Sequence, residues 1–417
     1  MSDKRLFAKE FLISESKSLL IRLEEMKPFE LTMPMVRSAS VSSHALKLIT
    51  QLLDRGKSEL RNGIRQFITF LKSEEANNST EENLQTRFTV LKLRYNQILD
   101  QLDIFADVMS QRSEHEVGIW LSGLDVLAED GLKIGSEYYE APSLMVYLDR
   151  GHGAAIRRAR TRLPGGDENP VAVIQIPRER MVGNGIASSL IHEVGHQGAA
   201  LLDLIPSLKG DINKVKQETG VNHTAWKYYE RWISEIIADF WALAQLGISS
   251  TIGLMGVVSL PSYFQFRFDL ADPHPAPYIR VMLSCTFGRK LFPDEQWDNL
   301  WKLWESFYPH DKLPKEQVLI LNQLGNEMDR FVDLVINNKP ESLKGKRLID
   351  LFQIQDRQPK TFREAYQTWK RNPYLIDRTS PIIVFAILGQ AKADQAVSSS
   401  EESHLLKRQL NRWASQR

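Results

Sequence analysis

Residues Ala187 to Leu201 read Ala-Ser-Ser-Leu-Ile-His-Glu-Val-Gly-His-Gln-Gly-Ala-Ala-Leu, and no other stretch limits the possible folds of this chain so strongly. Ala187, Leu190, Ile191, Val194, Gly198 and Leu201 recur at helical spacing and form one small or apolar stripe. Ser189, His192, Glu193, His196 and Ala200 form the opposite stripe. Such a helix, opened by Asn184-Gly185, seats one side in a core and turns two imidazoles toward a cleft. Residues four apart share a helix face, so His192 and His196 can reach one ion while Glu193 stands beside it. Nine histidines in 417 residues give roughly 0.2 His-x3-His pairs by chance, and on the order of 0.01 once an inner Glu is required.

Tetrahedral catalytic zinc takes three protein ligands and keeps one position open. Glu235 is the best third ligand. It lies with Asp239 four residues on in a helix expected over 226–246, where Ile237, Phe240, Trp241, Leu243 and Ala244 cover most directions. Two carboxylates spaced this way in a buried helix repel each other unless a cation joins them. A metal on Glu235 answers that, with Asp239 accepting the N–H of a ligating histidine. His223, in a polar loop before the helix, is the rival ligand. A third element, Asp272-Pro273-His274-Pro275-Ala276-Pro277-Tyr278-Ile279-Arg280, holds His274 on a proline-stiffened turn and starts a helix at Pro277. An imidazole N–H fixed there can stabilise an oxyanion, and Arg280 can pair with Asp239.

These three motifs, in this order and with these internal spacings, resemble the gluzincin metallopeptidases, and among them the CAAX-processing and HtpX-type zinc endopeptidases. That family carries HExxH, then Glu-x-x-x-Asp with Ala before the Asp, then His-Pro with Arg six residues after the His. The resemblance covers about 170–290. It implies one zinc ion on His192, His196 and Glu235, with Glu193 as general base. It also implies Asp239 supporting a ligand, Arg280 behind it, and His274 near the substrate carbonyl.

The rest of the chain frames this core. Hydrophobic residues at 42% and charged residues at 25% describe an ordinary globular protein, so packed elements are expected throughout. Helical periods in Leu46, Ile49, Leu52, Leu53, in Ile64, Phe67, Ile68, Leu71, and in Leu91, Tyr95, Ile98, Leu102, Phe105 make 1–115 an N-terminal helical domain. Its helices are broken by the polar stretch Ser73–Glu82. Leu144–Leu148, Ala155–Leu163 and Val171–Ile176 read as short strands of a small, mainly antiparallel sheet. The expected organisation is therefore α+β and predominantly helical. It has a zincin-like core over 116–300 and a C-terminal helical region over 301–417 that ends in a basic amphipathic tail, His404–Arg417, docked on its own protein.

A net charge of +1 gives no electrostatic case for nucleic acid or an anionic membrane. Lone Cys285 rules out an intramolecular disulfide framework. The N-terminus lacks a signal-peptide pattern, so the expected location is cytoplasmic, or outside by a route without a cleaved signal. Phe240–Phe266 carries no charge and is long enough to span a bilayer. Its Gln, Ser, Thr, Gly and Pro residues suit buried helices better, and a single crossing would part Glu235 from His274.

The expected reaction is hydrolysis of a peptide bond in a protein or peptide substrate, by water activated at zinc, with Glu193 moving the proton and His274 at the oxyanion. Val173, Ile174 and Gln175 are expected to bind substrate by strand addition, with Tyr278 nearby. Arg157, Arg158, Arg160 and Arg162 read as a basic edge, either solvated or selecting acidic partners. The alternative is a metal-containing scaffold whose helical additions bind a regulatory partner. Glu193 argues against it, since a structural site needs ligands and no base. Nothing in the chain suggests a phosphate-binding loop for a nuclease.

Overall fold

A computed structural model describes residues 3–149, 153–178, 185–218, 220 and 222–417. The fold is predominantly helical with one small sheet, so the α+β expectation holds in that form. Three long helices, α1 (Asp3–Glu25), α3 (Ser43–Leu71) and α5 (Glu81–Arg112), make the N-terminal bundle, with single turns α2 (Phe29–Thr32) and α4 (Glu74–Asn77) between them. Leu12, Leu19 and Leu23 of α1 close over Leu60, Ile64 and Phe67 of α3 and over Leu84, Phe88 and Ile98 of α5. Ser42 and Thr80 accept from the Ala45 and Asn83 amides and so cap α3 and α5. The chain turns at Ser113 into α6 (His115–Leu132).

The sheet holds β1 (Leu144–Asp149), β2 (Ala155–Arg157) and β3 (Ala172–Pro177) in the order β1-β3-β2. β1 runs parallel to β3 from Leu144↔Ala172 to Asp149↔Pro177, whereas β2 runs antiparallel to it over three pairs. The sheet is therefore mixed, which corrects the mainly antiparallel expectation. Strands covered on both faces read as near-continuous apolar runs, and LMVYL and VAVIQI are such runs. Met145 and Val173 face the ends of α3 and α5, while Val146, Leu148, Ile174 and Ile176 face the helices that follow.

Those helices are α7 (Gly185–Leu201), α8 (Leu204–Val215), α9 (His223–Leu246), α10 (Ile248–Val258), the turn α11 (Ser262–Gln265), α12 (Pro277–Leu291), α13 (Gln296–Phe307), α14 (Lys315–Asn337), α15 (Pro359–Arg371), α16 (Pro381–Ala393) and α17 (Ser399–Ser415). α9 is the axis of the assembly. Trp226, Tyr229, Trp232, Ile237, Phe240 and Trp241 are buried around it, and Phe331 of α14 stacks on Tyr229 at 4.1 Å. One apolar core runs from Leu121 to Trp413, so a boundary at 300 has no counterpart in the packing. The uncharged stretch becomes the end of α9, all of α10 and α11. Among the described residues no helix is long and apolar enough to cross a membrane.

α17 docks on α6 through Leu406, Leu410 and Trp413. Beyond it Arg417 donates to Asp125 at 2.6 Å and to Glu129 at 2.5 Å. Asp125 also accepts from the fully buried Arg112 at 2.9 Å and from the Val146 amide at 2.8 Å. This buried network ties the N-terminal bundle, the sheet and the C-terminal helix to α6, which itself packs against α7.

Candidate metal centre

α7 and α9 cross unusually closely, and glycine is the reason. A Cβ on Gly195 would lie 2.8 Å from the Trp241 Cβ and 2.9 Å from the Ala238 Cα, and one on Gly198 would lie 2.5 Å from the Trp241 ring. The inner Gly of the HEVGH motif thus lets backbone meet backbone and brings Glu235 opposite the two histidines. For Gly195→Val, the clash with Ala238 backbone must part the helices. We expect a loss of about 1–3 kcal/mol in urea unfolding of the metal-free protein, as for an overpacked core, together with weaker metal binding. Gly210→Ala, on the exposed side of α8 with nothing within 4 Å, is the control and should gain about 0.5–1 kcal/mol. Equal stabilities for the two variants would contradict this role for Gly195.

At the crossing, His192 Nε2 lies 3.3 Å from one Glu235 carboxylate oxygen and His196 Nε2 lies 3.4 Å from the other. One donor atom from each of the three residues falls within 4.8 Å of the others, so the triad can hold a metal ion. Ligands about 2.0–2.1 Å from a tetrahedral zinc are about 3.4 Å apart, close to the two separations found here. The charges fit as well. With neutral imidazoles, Glu193, Glu235 and Asp239 set three negative charges against Arg280, the one guanidinium of the cleft that is not exposed, leaving a deficit that a divalent cation would balance.

The outer nitrogens of the two rings are also engaged. His192 Nδ1–H donates to Asp239 at 2.8 Å, and His196 Nδ1 is 3.4 Å from the Ser234 hydroxyl. Arg280 donates to both Asp239 oxygens, from Nε at 2.5 Å and from Nη2 at 2.9 Å, and so fixes the acceptor that fixes His192. His274 stands at the mouth of the site, 57% exposed, with Nε2 3.8 Å from Glu235. Its ring and its backbone N–H both meet Asp272 Oδ1 at 2.9 Å. Ser234 and Asp272 were missed in the sequence. The signal available was the demand that each functional imidazole have a partner for its second nitrogen.

Glu193 is 5% exposed, and burial raises its pKa above the ordinary carboxylate range despite the neighbouring His192. Burial would likewise raise Glu235, yet its hydrogen bond to His192 and the charges around it carry it down to about 2. Burial disfavours a proton on His192, but Asp239 and Glu235 outweigh it and hold the pKa at about 9. Burial and the adjacent His192 push His196 down to about 4. Between about pH 4 and about 9 the metal-free site therefore holds His192 as imidazolium and His196 as neutral imidazole, and an incoming metal must displace the Nε2 proton of His192. Because that group is protonated below its raised pKa, affinity should fall as pH falls. Chelator competition at pH 6, 7 and 8 should show about a tenfold gain per unit and one proton released. A slope of zero or of two protons would contradict the assignment.

The cleft over the triad holds about 520 Å³. Its walls are α7, α9, Leu254 and Val257 of α10, the His274 turn, and Ala155, Ile156 and Arg158 along the edge of the sheet. His192, Glu193, His196, Glu235, Asp239, His274 and Arg280 all line it. The other site residues fall elsewhere. Val173, Ile174 and Gln175 belong to β3, whose two edges are taken by β1 and β2, so β3 cannot accept another strand. The edge strands are β1 and β2: side chains of Gln111, Arg112 and Asp125 meet the backbone of β1 at Val146 and Leu148, and among the described residues no strand pairs with the outer edge of β2. Tyr278 is 2% exposed and packs on Phe266, outside the cleft lining. His223 is exposed at the start of α9, twelve residues and about 18 Å of helix before Glu235. No family model, no curated protein and no solved structure matches this chain, so a functional reading rests on the residues themselves.

Proposed function

We propose that this protein is a zinc metallopeptidase that hydrolyses peptide bonds in the cleft between α7, α9 and β2. The observation that carries the reading is Glu193. It is a buried carboxylate with a raised pKa, one residue from a metal ligand and in the same cleft as the triad, and it is not itself a member of that triad. A structural metal site has no use for such a group.

His192, His196 and Glu235 would hold the ion. Bound zinc supplies a Lewis acid that polarises a carbonyl and lowers the pKa of water toward neutrality. The chain's own groups do the rest. Glu193 accepts a proton from the attacking water and returns it to the leaving amine. His274, whose Nδ1–H is held by Asp272, donates from Nε2 in its imidazolium form to the carbonyl oxygen as charge develops there. Asp239 and Ser234 keep the ligating rings turned inward, and Arg280 keeps Asp239 in place. The outer edge of β2, which no strand pairs among the described residues, supports an extended peptide by main-chain hydrogen bonding across the mouth of the cleft.

The test is metal-dependent turnover. Purified full chain stripped with a chelator should be inert toward casein and regain cleavage at one equivalent of zinc. A chain that binds one zinc and never cuts casein would favour the scaffold reading instead.

A further inference from the structure

A second cleft of about 500 Å³ lies across β2 from the metal centre. The register places it on the other face of the sheet. Ala155 pairs with Gln175 and Arg157 with Val173, and both partners look toward α5, whereas Ile156 pairs with Ile174 and looks toward α7. Ala155, Ile156 and Arg158 line both clefts, so the two meet along the outer edge of β2. Successive side chains of an extended strand point to opposite faces. A peptide paired to this edge therefore sends alternate side chains into the metal cleft and into the second cleft.

The second cleft is built of hydrogen-bond donors. Arg157 and Arg158 are exposed, and among the described residues neither guanidinium has a carboxylate or other hydrogen-bond acceptor. Gln175 accepts from the Tyr147 hydroxyl at 3.2 Å through Oε1, which leaves its amide N–H2 as a donor. Against these stands one carboxylate, the exposed Asp107 of α5. Protective charge on a strand edge needs no cavity beside it; here the two unpaired arginines border one.

We propose that this second cleft is a specificity subsite that takes an acidic side chain of the peptide held on β2. The proposal rests on β2 being the strand that binds substrate. It makes the substrate class peptides with Asp or Glu at positions of one parity around the scissile bond. The carboxylate meets a guanidinium in a charge-assisted pair and neutralises an otherwise unpaired cationic rim.

The test reads binding, so it stands whether or not the chain turns over. Fluorescein-labelled ten-residue peptides, identical except for one position carrying Glu, Gln or Lys, are titrated by anisotropy into zinc-loaded full chain bearing Glu193→Gln. At alternate positions Glu should bind about tenfold tighter than Lys, with a gap that shrinks at high salt. The double variant Arg157→Glu, Arg158→Glu, made in the same background, should invert the order with unchanged melting, since among the described residues neither side chain has a partner to lose. Equal binding of Glu and Lys peptides, no binding of any of them, or a preference that survives the double variant would overturn the subsite. Wild-type cleavage separates the two readings. Peptides cut without regard to charge sink the subsite and leave the peptidase. Acidic peptides bound selectively yet never cut keep the subsite and sink the peptidase.

Discussion

Glu193→Gln should lower kcat/KM for peptide hydrolysis by about a thousandfold while the chain still binds one zinc. The side chain sits 5% exposed at the floor of the cleft, and it is not one of the three converging ligands. Gln matches its shape and fills its place but cannot take a proton from water. General-base removal costs about 10²–10⁴ in rate, and Glu193 must also return the proton to the amine, so the middle of that range is the expected loss. The variant should fold at least as well as wild type, because one of three clustered carboxylates is gone. The pH profile of zinc-saturated wild type gives a second readout. A base must be deprotonated, so activity is present above its pKa and lost below. Burial raises that pKa in the metal-free chain and a bound dication opposes the shift, so the readout is that the acid limb of wild type is missing from the residual rate of Glu193→Gln. A variant that retains activity within about threefold would remove Glu193 from the chemistry.

Asp239→Ala should be the most damaging single change to the architecture of the centre. Arg280 and Asp239 are each largely buried, and the guanidinium gives two hydrogen bonds to that carboxylate. Its nearest other anion is Glu235, at 3.8 Å. Losing one partner of a buried pair leaves a desolvated charge, at a cost of about 3–5 kcal/mol. The same change removes the acceptor that orients His192, so zinc affinity should fall by about 10–100-fold. Urea unfolding of the metal-free protein and zinc competition measure the two effects separately. Adding Arg280→Met should restore most of the stability, since the guanidinium stripped of its carboxylate is gone, without restoring the affinity, since His192 is still unheld. A loss below about 1 kcal/mol in the single variant would mean that the pair is hydrated and does not organise the site.

Much of this centre can be read directly from the residues. The stripe from Ala187 to Leu201 gives the motif helix and its orientation, because a helix with one small and apolar side has one way to sit on a core. The Glu235–Asp239 pair stands out because carboxylates four apart in a helix buried nearly all round need a cation. Proline at 273, 275 and 277 marks the stiff turn that carries His274 to the mouth. What could not be read is the order of the strands. β1 and β3 are parallel because the chain runs out to β2 and returns between the two, and alternation within a six-residue strand says nothing of its neighbours. Substrate contact was therefore expected on β3, the central strand, when the edge strand bordering the cleft is the three-residue β2. Tyr278 was placed near substrate from its sequence neighbours, yet the first turn of α12 points it into the core while Arg280 faces the site.

Full chain loaded with one equivalent of zinc, incubated with denatured cell lysate, can be compared with Glu193→Gln by mass-spectrometric mapping of new N-termini. The expected result is a set of new termini present with the wild type, absent with the variant and abolished by chelation. One zinc bound per chain with identical termini in both samples would contradict peptide-bond hydrolysis at this centre.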